Sequence, residues 1–294
     1  MIDFSKGEEL LNKFHGSEKK TTILYEKEIY MLKFPDPIRE KDNLLSYMNN
    51  QYSEHIGCSI FKSCGFNTQE TLLGYYIDKK GNKKIVVACK DFTQDGSTLY
   101  EFSKLGNAIV EIDKKLGTTI ENVHLIINHS DFIKNKDSIV ARFWDMFVVD
   151  ALLANSDRHF DNWGLLEKDK ELVFAPIYDC GSTLGALLDD TRIKDLLSSF
   201  TDFKNKEFNV TSCYFLNGKK IFYHEIFKNP PKELSDAIKR IVTKIDVETI
   251  HNIIDSILQI SEIRKEYIRT AIGLRYDAIL VPALKSVLKK EKKN

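Results

Sequence analysis

The pattern of hydrophobic residues changes near Phe92, and this change constrains the fold more than any other feature of the sequence. Before Phe92, the stretch TTILYEKEIYMLKFP (Thr21 to Pro35) and the runs TLLGYYI and KKIVVACKDF contain β-prone residues around charged turns, which predicts two hairpins. Between them, SEHIGCSIFKSCG has apolar residues four apart and a glycine at position 65, which predicts a helix.

After Phe92 the apolar residues recur at helical spacing. STLYEFSKLGNAIVEIDKKLG and SIVARFWDMFVVDALLAN both predict helices, and NWGLLEKDKELVFAPIYD predicts one further hairpin. We therefore expect an α+β protein of two lobes, with a small β-rich lobe over residues 1–92 and a larger, mostly helical lobe over residues 93–294.

Composition limits the partners of such a protein. The chain has 294 residues, 43% of them hydrophobic, which suffices for a sizeable core, and its formal net charge is zero. No overall field would attract nucleic acid or an anionic membrane. Five scattered cysteines without a Cys-x-x-Cys pair indicate neither a disulfide framework nor a zinc site. With no apolar run of about 18 residues, we expect a cytoplasmic protein with no membrane and no direct nucleic-acid partner.

Polar residues cluster in ANSDRHFDNWGLL, at the end of the helix predicted for SIVARFWDMFVVDALLAN. Asp157 and Asn162 are separated by four residues, and Asp179 follows a hairpin in APIYDCGS. This layout is typical of a phosphoryl-transfer site, in which one aspartate accepts the proton of the attacking hydroxyl. An amide oxygen and a second carboxylate are the hard ligands that Mg²⁺ prefers, so Asn162 and Asp179 are candidate metal ligands.

Each of these residues also has a simpler explanation. Asp, Asn and Arg are common in loops after helices, where they cap backbone groups. His159 is more typical of a structural histidine than of a proton shuttle, and Asp161 is equally consistent with a solvated loop charge. The combination of Asp157, Asn162 and Asp179 behind a β-rich lobe favours the catalytic interpretation.

The first lobe contains candidate residues for binding phosphate and base. HGSEKKT, from His15 to Thr21, offers a glycine, a hydroxyl and two lysines just before a strand, although a plain turn is the alternative. In YMLKFP, strand alternation sets Lys33 on the opposite face from its neighbours, and Glu54 on the next helix is a candidate partner. A surface lysine on an edge strand is the alternative. The stretch ACKDF, which includes Lys90 and Phe92, lies where a hinge would contact adenine.

In this order, HGSEKKT, YMLKFP, NSDRHFDN and APIYD resemble the HipA-like serine/threonine kinases, the toxin kinases of bacterial toxin–antitoxin pairs. The resemblance implies a two-lobed, protein-kinase-like fold that binds ATP and Mg²⁺. It implies Asp157 as the catalytic base and Asn162 and Asp179 as metal ligands. The residues that it implies for the ATP site are Gly16, Ser17, Lys19, Lys20, Thr21, Lys33, Glu54, Lys90, Phe92, His159 and Tyr178.

The resemblance also implies partners and regulation. Family members phosphorylate aminoacyl-tRNA synthetases or other translation components, so we expect a protein substrate, and an antitoxin protein is a further expected partner. Members also autophosphorylate a serine in or near the phosphate loop, which makes Ser17 the candidate here. Only about fifteen residues precede Gly16, which indicates a short form without the extra N-terminal subdomain of longer members.

Two other functions remain open from the sequence. DRHFDN also looks like the catalytic loop of phosphatidylinositol kinases, but the chain has no basic amphipathic helix for a membrane beyond its KKEKK tail. A catalytically silent nucleotide-binding regulator is the other alternative. It is disfavoured because the base, metal and phosphate-lysine positions are all occupied by suitable residues.

Overall fold

A computed structural model describes residues 1–11, 20–35, 37–39, 45–47, 49–109, 117–168 and 170–292. The first part of the chain forms a twisted six-stranded sheet in the order β1-β7-β8-β4-β3-β2, and a small hairpin of β5 and β6. The strands of this part are β1 Ile2–Asp3, β2 Glu8–Leu10, β3 Lys20–Tyr25, β4 Glu28–Lys33, β5 Pro37–Arg39, β6 Leu45–Tyr47, β7 Thr71–Ile77 and β8 Lys83–Lys90.

Both hairpins predicted for this part are confirmed. β3 pairs with β4 across a turn at Glu26 and Lys27, both of which have positive φ, as a tight two-residue hairpin turn requires. β7 pairs antiparallel with β8. The predicted helix is also confirmed as α1, Asn50–Ser63, and Gly65 follows it at a φ of +85°.

The two faces of the sheet differ in what they cover. Tyr30 and Leu32 of β4 pack on one face with Phe4 and Ile23. Alternation along the strand puts Lys33 on the other face, beside Met31. α1 contacts β7 and β8 and also the helix α9, Val247–Asp255, of the second part. Lys33 therefore points toward the side of the sheet on which the two parts of the chain meet.

The second part is mostly helical. Its strands are β9 Thr98–Glu101, β10 Gly164–Lys168, β11 Glu171–Phe174, β12 Thr211–Leu216 and β13 Lys219–Phe222. Its helices are α2 Phe102–Ile109, α3 Ile120–His129, α4 Lys136–Leu153, α5 Asp190–Ser198, α6 Phe200–Phe208, α7 Tyr223–Ile226, α8 Lys232–Ile241, α9 Val247–Asp255, α10 Glu262–Arg275 and α11 Val281–Glu291, with a π-helix at Tyr276–Leu280 between the last two.

The core of the second part surrounds α4. Phe143, Trp144 and Phe147 of this helix are almost fully buried among aromatic rings, and α4 packs along α8. Every residue of α4 from Phe143 to Leu153 is buried, so the loop that leaves the helix after Leu153 has a rigid starting point. That loop contains the polar cluster of the sequence.

The prediction of a single helix over STLYEFSKLGNAIVEIDKKLG is partly wrong, and residues 110–116 of this stretch lie outside the described residues. Thr98–Glu101 form β9, which pairs with β10 in the register Leu99 to Leu166, and the helix α2 begins only at Phe102. Pairing with a distant strand outweighs the local helical pattern here. The hairpin β10–β11 and the helix α4 are confirmed. The division of the chain at residue 92 stays a prediction.

Candidate active site

Lys33, Glu54 and Asp179 come together where the sheet, α1 and the segment after β11 meet. The Lys33 ammonium lies 2.8 Å from Glu54 Oε2 and 2.7 Å from Asp179 Oδ1. The side chains of Lys33 and Glu54 are buried, whereas that of Asp179 is 33% exposed. We call these three residues the Lys33 cluster. The ion pair that the sequence predicts between Lys33 and Glu54 is confirmed, and Asp179 is added to it.

The electrostatics of the Lys33 cluster keep Asp179 ionised. Burial alone would raise the pKa of its carboxyl group, but the adjacent Lys33 ammonium outweighs this effect and lowers the pKa to about 2. The positive charges of Arg158 and Lys20 act in the same direction. Lys20 lies directly opposite Lys33 in the β3–β4 pair, which explains why its charge reaches this site.

The backbone around Asp179 is held by Glu54. Asp179 has a φ of +57°, in the left-handed region that Asp tolerates better than most residues. The next residue, Cys180, donates its N–H to Glu54 Oε1 at 3.1 Å. A Cβ on Gly181 would come within 3.3 Å of Glu54 Oε2, so glycine permits this close approach. The turn thus depends on the conformation of Asp179 itself, and Gly181 contributes by its small size.

The loop after α4 is built around a buried arginine. α4 is followed by the capping residue Ala154, whose φ of +57° reverses the chain. Arg158 pairs with Asp150 on the last turn of α4, with Nε 3.1 Å from Oδ2, and both side chains are 1% exposed. Asn155 donates to the same carboxylate at 2.8 Å. We call Arg158, Asp150 and Asn155 the Arg158 cluster.

Arg158 also connects the loop to the Asp179 segment. Its Nη1 donates to the carbonyl of Asn162 at 2.7 Å and to the carbonyl of Tyr178. Burial opposes the charge of Arg158, but Asp150 outweighs it and raises the pKa of the guanidinium group. A permanent cation therefore fixes the two chain segments that carry the candidate catalytic and metal residues.

Asp157 lies next to this buried anchor but faces outward. Its side chain is 50% exposed, and its backbone N–H donates to Asn155 Oδ1 at 3.0 Å. Its Oδ2 accepts a hydrogen bond from Ser182 Oγ at 3.2 Å, and its Oδ1 lies 3.7 Å from His159 Nε2. The backbone of Asp157 is thus fixed while its carboxylate remains open to a ligand.

The oxygen atoms required for Mg²⁺ are present. Asn162 donates its Nδ2 to the carbonyl of Asp157 at 2.7 Å, an orientation that leaves Oδ1 for another partner. Lys33 occupies Oδ1 of Asp179, and Oδ2 has no hydrogen-bond partner among the residues that the structure describes. Within these described residues no cluster of three or more His, Cys, Asp or Glu side chains could hold a metal. Two protein ligands supplemented by phosphate oxygens suit Mg²⁺, so the residues fit this ion.

Aromatic rings lie beside the stretch predicted as the hinge. The rings of Phe92 and Tyr178 have centroids 6.0 Å apart, and Tyr178 donates its hydroxyl to the carbonyl of Asp161 at 3.1 Å. Burial raises the pKa of the Tyr178 phenol, so this group remains a neutral donor. Gln94 bonds to both backbone groups of Ile29, which ties the segment after β8 to the sheet.

Thr21 and Lys90, which the sequence predicts for the ATP site, direct their side chains elsewhere than to the Lys33 cluster. Thr21 pairs with Leu32 and lies on the opposite face of the sheet from Lys33, beside a cavity lined by Phe34 and Tyr76. Thr21 therefore forms part of strand β3, and its side chain points away from the Lys33 cluster. Lys90 directs its ammonium to Glu28 at 2.8 Å.

His159 lies beside Asp157, with Nδ1 3.4 Å from the Asp161 carboxylate. Gly16, Ser17 and Lys19 lie outside the described residues.

Sequence reasoning missed three residues of this site. Asp150 sits in the apolar run VVDALL, and a carboxylate in such a run signals a buried partner. Arg158, between two predicted site residues, was the natural candidate for that partner. Ser182 gave no signal, because its contact with Asp157 depends on how two segments 25 residues apart are brought together.

Comparison with known proteins identifies the family. Residues 13–249 match the family described as the HipA-like C-terminal domain. The chain is 39% identical to the serine/threonine-protein kinase CtkA of Helicobacter pylori strain J99 over 268 residues, which cover 89% of this chain and 80% of CtkA.

Solved structures of similar proteins support the same conclusion about the fold. The crystal structure of the H. pylori proinflammatory kinase CtkA superposes with a TM-score of 0.88 at 36% identity and covers 99% of both chains. HipA of Shewanella oneidensis, solved with HipB and operator DNA, has a TM-score of 0.57 at 13% identity over 96% of this chain and 68% of HipA, which indicates a similar fold. The resemblance inferred from the motifs is confirmed, as is the two-lobed kinase-like fold: the chain belongs to the HipA-like serine/threonine kinase family.

Proposed function

We propose that this protein transfers the γ-phosphoryl group of ATP to serine or threonine hydroxyls of proteins in a Mg²⁺-dependent reaction. The observation that carries the proposal is the convergence of Asp157, Asn162 and Asp179 beside the Lys33–Glu54 ion pair. These are the parts that phosphoryl transfer requires, and they come from segments far apart in the sequence.

The proposed roles follow from the bonding of each side chain. The exposed Asp157 carboxylate would orient the acceptor hydroxyl and take its proton. Lys33, held by Glu54, would neutralise phosphate charge. Asn162 and Asp179 would hold Mg²⁺, which supplies further neutralisation of charge on the phosphates when bound. Phosphoryl transfer needs little covalent chemistry from the protein, so much of the rate acceleration would come from positioning. The buried Arg158 would contribute by holding the two chain segments that carry Asn162 and Asp179.

We also propose a region that binds the adenine base of ATP. Phe92 and Tyr178 offer aromatic surface beside the segment Lys90 to Phe92, whose backbone would lie along the adenine edge. The Lys90 side chain takes no part, since it pairs with Glu28. The charge of Lys20 helps to lower the pKa of Asp179, which supports a role for Lys20 in phosphate binding. Ser17 remains the candidate for autophosphorylation in the phosphate loop.

The test compares the wild type with Asp157→Asn and with the matched control Asp161→Asn, which removes an exposed carboxylate from the same loop. Each protein is incubated with radiolabelled ATP and Mg²⁺, with either casein or phosphatidylinositol vesicles as acceptor. We expect label on casein to fall by about 10²–10⁴-fold in Asp157→Asn and little in Asp161→Asn. ATP affinity, measured by calorimetry, should be unchanged in both. Equal turnover by Asp157→Asn would refute the assignment of the base.

Among the helices that the structure describes, none combines the length and the apolar character of a membrane span.

The experiment with phosphatidylinositol vesicles distinguishes a lipid acceptor from a protein acceptor. Label on the lipid instead of casein would favour the lipid-kinase alternative. ATP binding without label on either acceptor would favour a silent regulator.

A toxin role with an antitoxin partner belongs to the same proposal. It rests on family membership, and the structure of HipA with HipB and DNA gives one example of such an assembly. A translation component is the substrate class that this role would require. Growth arrest on expression of the wild type, and its absence with Asp157→Asn, would support the role, whereas arrest by both would contradict it.

A further inference from the structure

Ser182 is the hydroxyl group that the fold itself presents to the candidate base. Its side chain is exposed, and its Oγ donates to Asp157 Oδ2 at 3.2 Å. A general base contacts the proton that it removes at about 2.6–3.2 Å between heavy atoms. The Ser182 hydroxyl therefore occupies the position relative to Asp157 that an acceptor hydroxyl would need.

The backbone on both sides of Ser182 is fixed, so this contact is built into the fold. Cys180 is held through its N–H by Glu54, and its carbonyl accepts a hydrogen bond from Thr183 Oγ1 at 2.8 Å. Thr183 is held in turn by Ser53, which donates to its carbonyl at 2.9 Å. Ser182 thus projects from a segment that is anchored to α1 on both sides.

Ser182 also lies close to the candidate metal and phosphate residues. It follows Asp179 by three residues, and its partner Asp157 is bonded through its carbonyl to Asn162. If Asn162 and Asp179 hold Mg²⁺ as proposed, a γ-phosphoryl group bound to that ion would lie near the Ser182 hydroxyl. By contrast, the exposed Ser198 donates to the carbonyl of Asp195 within its own helical turn, which is an ordinary structural bond.

We propose that Ser182 is an intramolecular phosphate acceptor of this kinase, a proposal that rests on the function proposed above. The bond from Ser182 Oγ to the γ-phosphorus forms as the bond from that phosphorus to the β,γ-bridging oxygen breaks. The hydroxyl proton passes to Asp157, and ADP is released. No reactant other than Mg²⁺ and ATP is required.

The product would slow the enzyme. A phosphoserine carries a charge of about −1.5 to −2 at neutral pH. At position 182 this charge would lie beside the carboxylate of Asp157 and near that of Asp179, where it would compete with the phosphates of ATP. Protein modified at Ser182 should therefore phosphorylate external substrates more slowly than unmodified protein.

The experiment maps phosphate by mass spectrometry after the protein of 294 residues is incubated with Mg²⁺ and ATP. Wild type, Ser182→Ala, Ser182→Thr, Asp157→Asn and the matched control Ser198→Ala are compared. We expect phosphate at position 182 in the wild type, in Ser198→Ala and, as phosphothreonine, in Ser182→Thr. We expect none at this position in Ser182→Ala or Asp157→Asn.

Kinetics test the intramolecular step. The fraction of Ser182 modified per unit time should stay the same over a 50-fold dilution of the protein, and casein phosphorylation by the wild type should decline as that fraction rises. A rate proportional to protein concentration would overturn the intramolecular step. Wild-type protein that phosphorylates casein but carries no phosphate at Ser182 would overturn the site and leave the proposed function standing. The mapping needs only the wild type, so poor folding of a variant does not affect this outcome.

Discussion

The Lys33 cluster and the Arg158 cluster are connected through the bond from Arg158 to the carbonyl of Tyr178, the residue before Asp179. Both contain buried opposite charges, but they differ in what their charges can still bind. In the Arg158 cluster both charged side chains are 1% exposed, and Arg158 bonds to a carboxylate and two carbonyls of the chain itself. In the Lys33 cluster, Asp179 is 33% exposed and keeps one carboxylate oxygen without a hydrogen bond among the described residues.

We infer from this difference that the Arg158 cluster supports the structure, whereas the Lys33 cluster can bind a ligand. A buried charge whose hydrogen bonds are all made within the chain holds structure in place, and removing its partner leaves an uncompensated charge. A charge that is held on one side and open on the other can take a ligand without disturbing the fold. The same substitution, Asp to Asn, can be made in each cluster, which turns the comparison into a direct test.

The largest effect expected in the comparison of the two clusters is that of Asp179→Asn on activity. The change keeps the side-chain shape, and Asn tolerates the positive φ at this position. It removes a charge proposed to hold Mg²⁺, so we expect phosphate transfer to fall by about 10³-fold, equivalent to ~4 kcal/mol of activation free energy. The measurement is the steady-state rate of casein phosphorylation.

Stability is the control for Asp179→Asn. Lys33 keeps its ion pair with the buried Glu54, so the urea midpoint of unfolding should stay close to that of the wild type. A large loss of stability would mean that the Lys33 cluster is chiefly structural, and the contrast between the clusters would fail.

Asp150→Asn should have the opposite profile. It leaves the fully buried Arg158 without its counterion, and breaking a buried pair in this way costs about 3–5 kcal/mol in the free energy of unfolding. Urea denaturation followed by circular dichroism measures this loss. A protein that keeps wild-type stability but loses activity would contradict the supporting role of the Arg158 cluster.

Much of the fold could be predicted because its signals are local. The hairpins β3–β4 and β7–β8 and the buried helix α4 follow from alternation, turn residues and apolar runs within a few residues of one another. β9 could not be predicted in this way, since Thr98–Glu101 become a strand only by pairing with β10, more than sixty residues away.

The candidate site likewise contains residues that local sequence patterns could predict and one that they could not. Asp157 and Asn162 lie on one loop, so their spacing in the sequence is close to their spacing in space. Alternation predicted the direction of Lys33, and the same rule applied to Thr21 would have placed it on the other face of the sheet. The contact between Ser182 and Asp157 depends on tertiary structure, and no local pattern indicates it.

The smallest expected effect is that of Lys90→Met, which marks the edge of the candidate site. Lys90 lies in the predicted adenine segment, but its ammonium pairs with Glu28 on the surface, and such exposed pairs contribute little. We expect the same ATP affinity as the wild type by calorimetry, because any contact with adenine would come from the backbone. Phe92→Ala is the comparison, since it removes a ring that faces Tyr178 and should weaken ATP binding. Weaker binding in Lys90→Met with unchanged binding in Phe92→Ala would move the adenine site away from the aromatic pair.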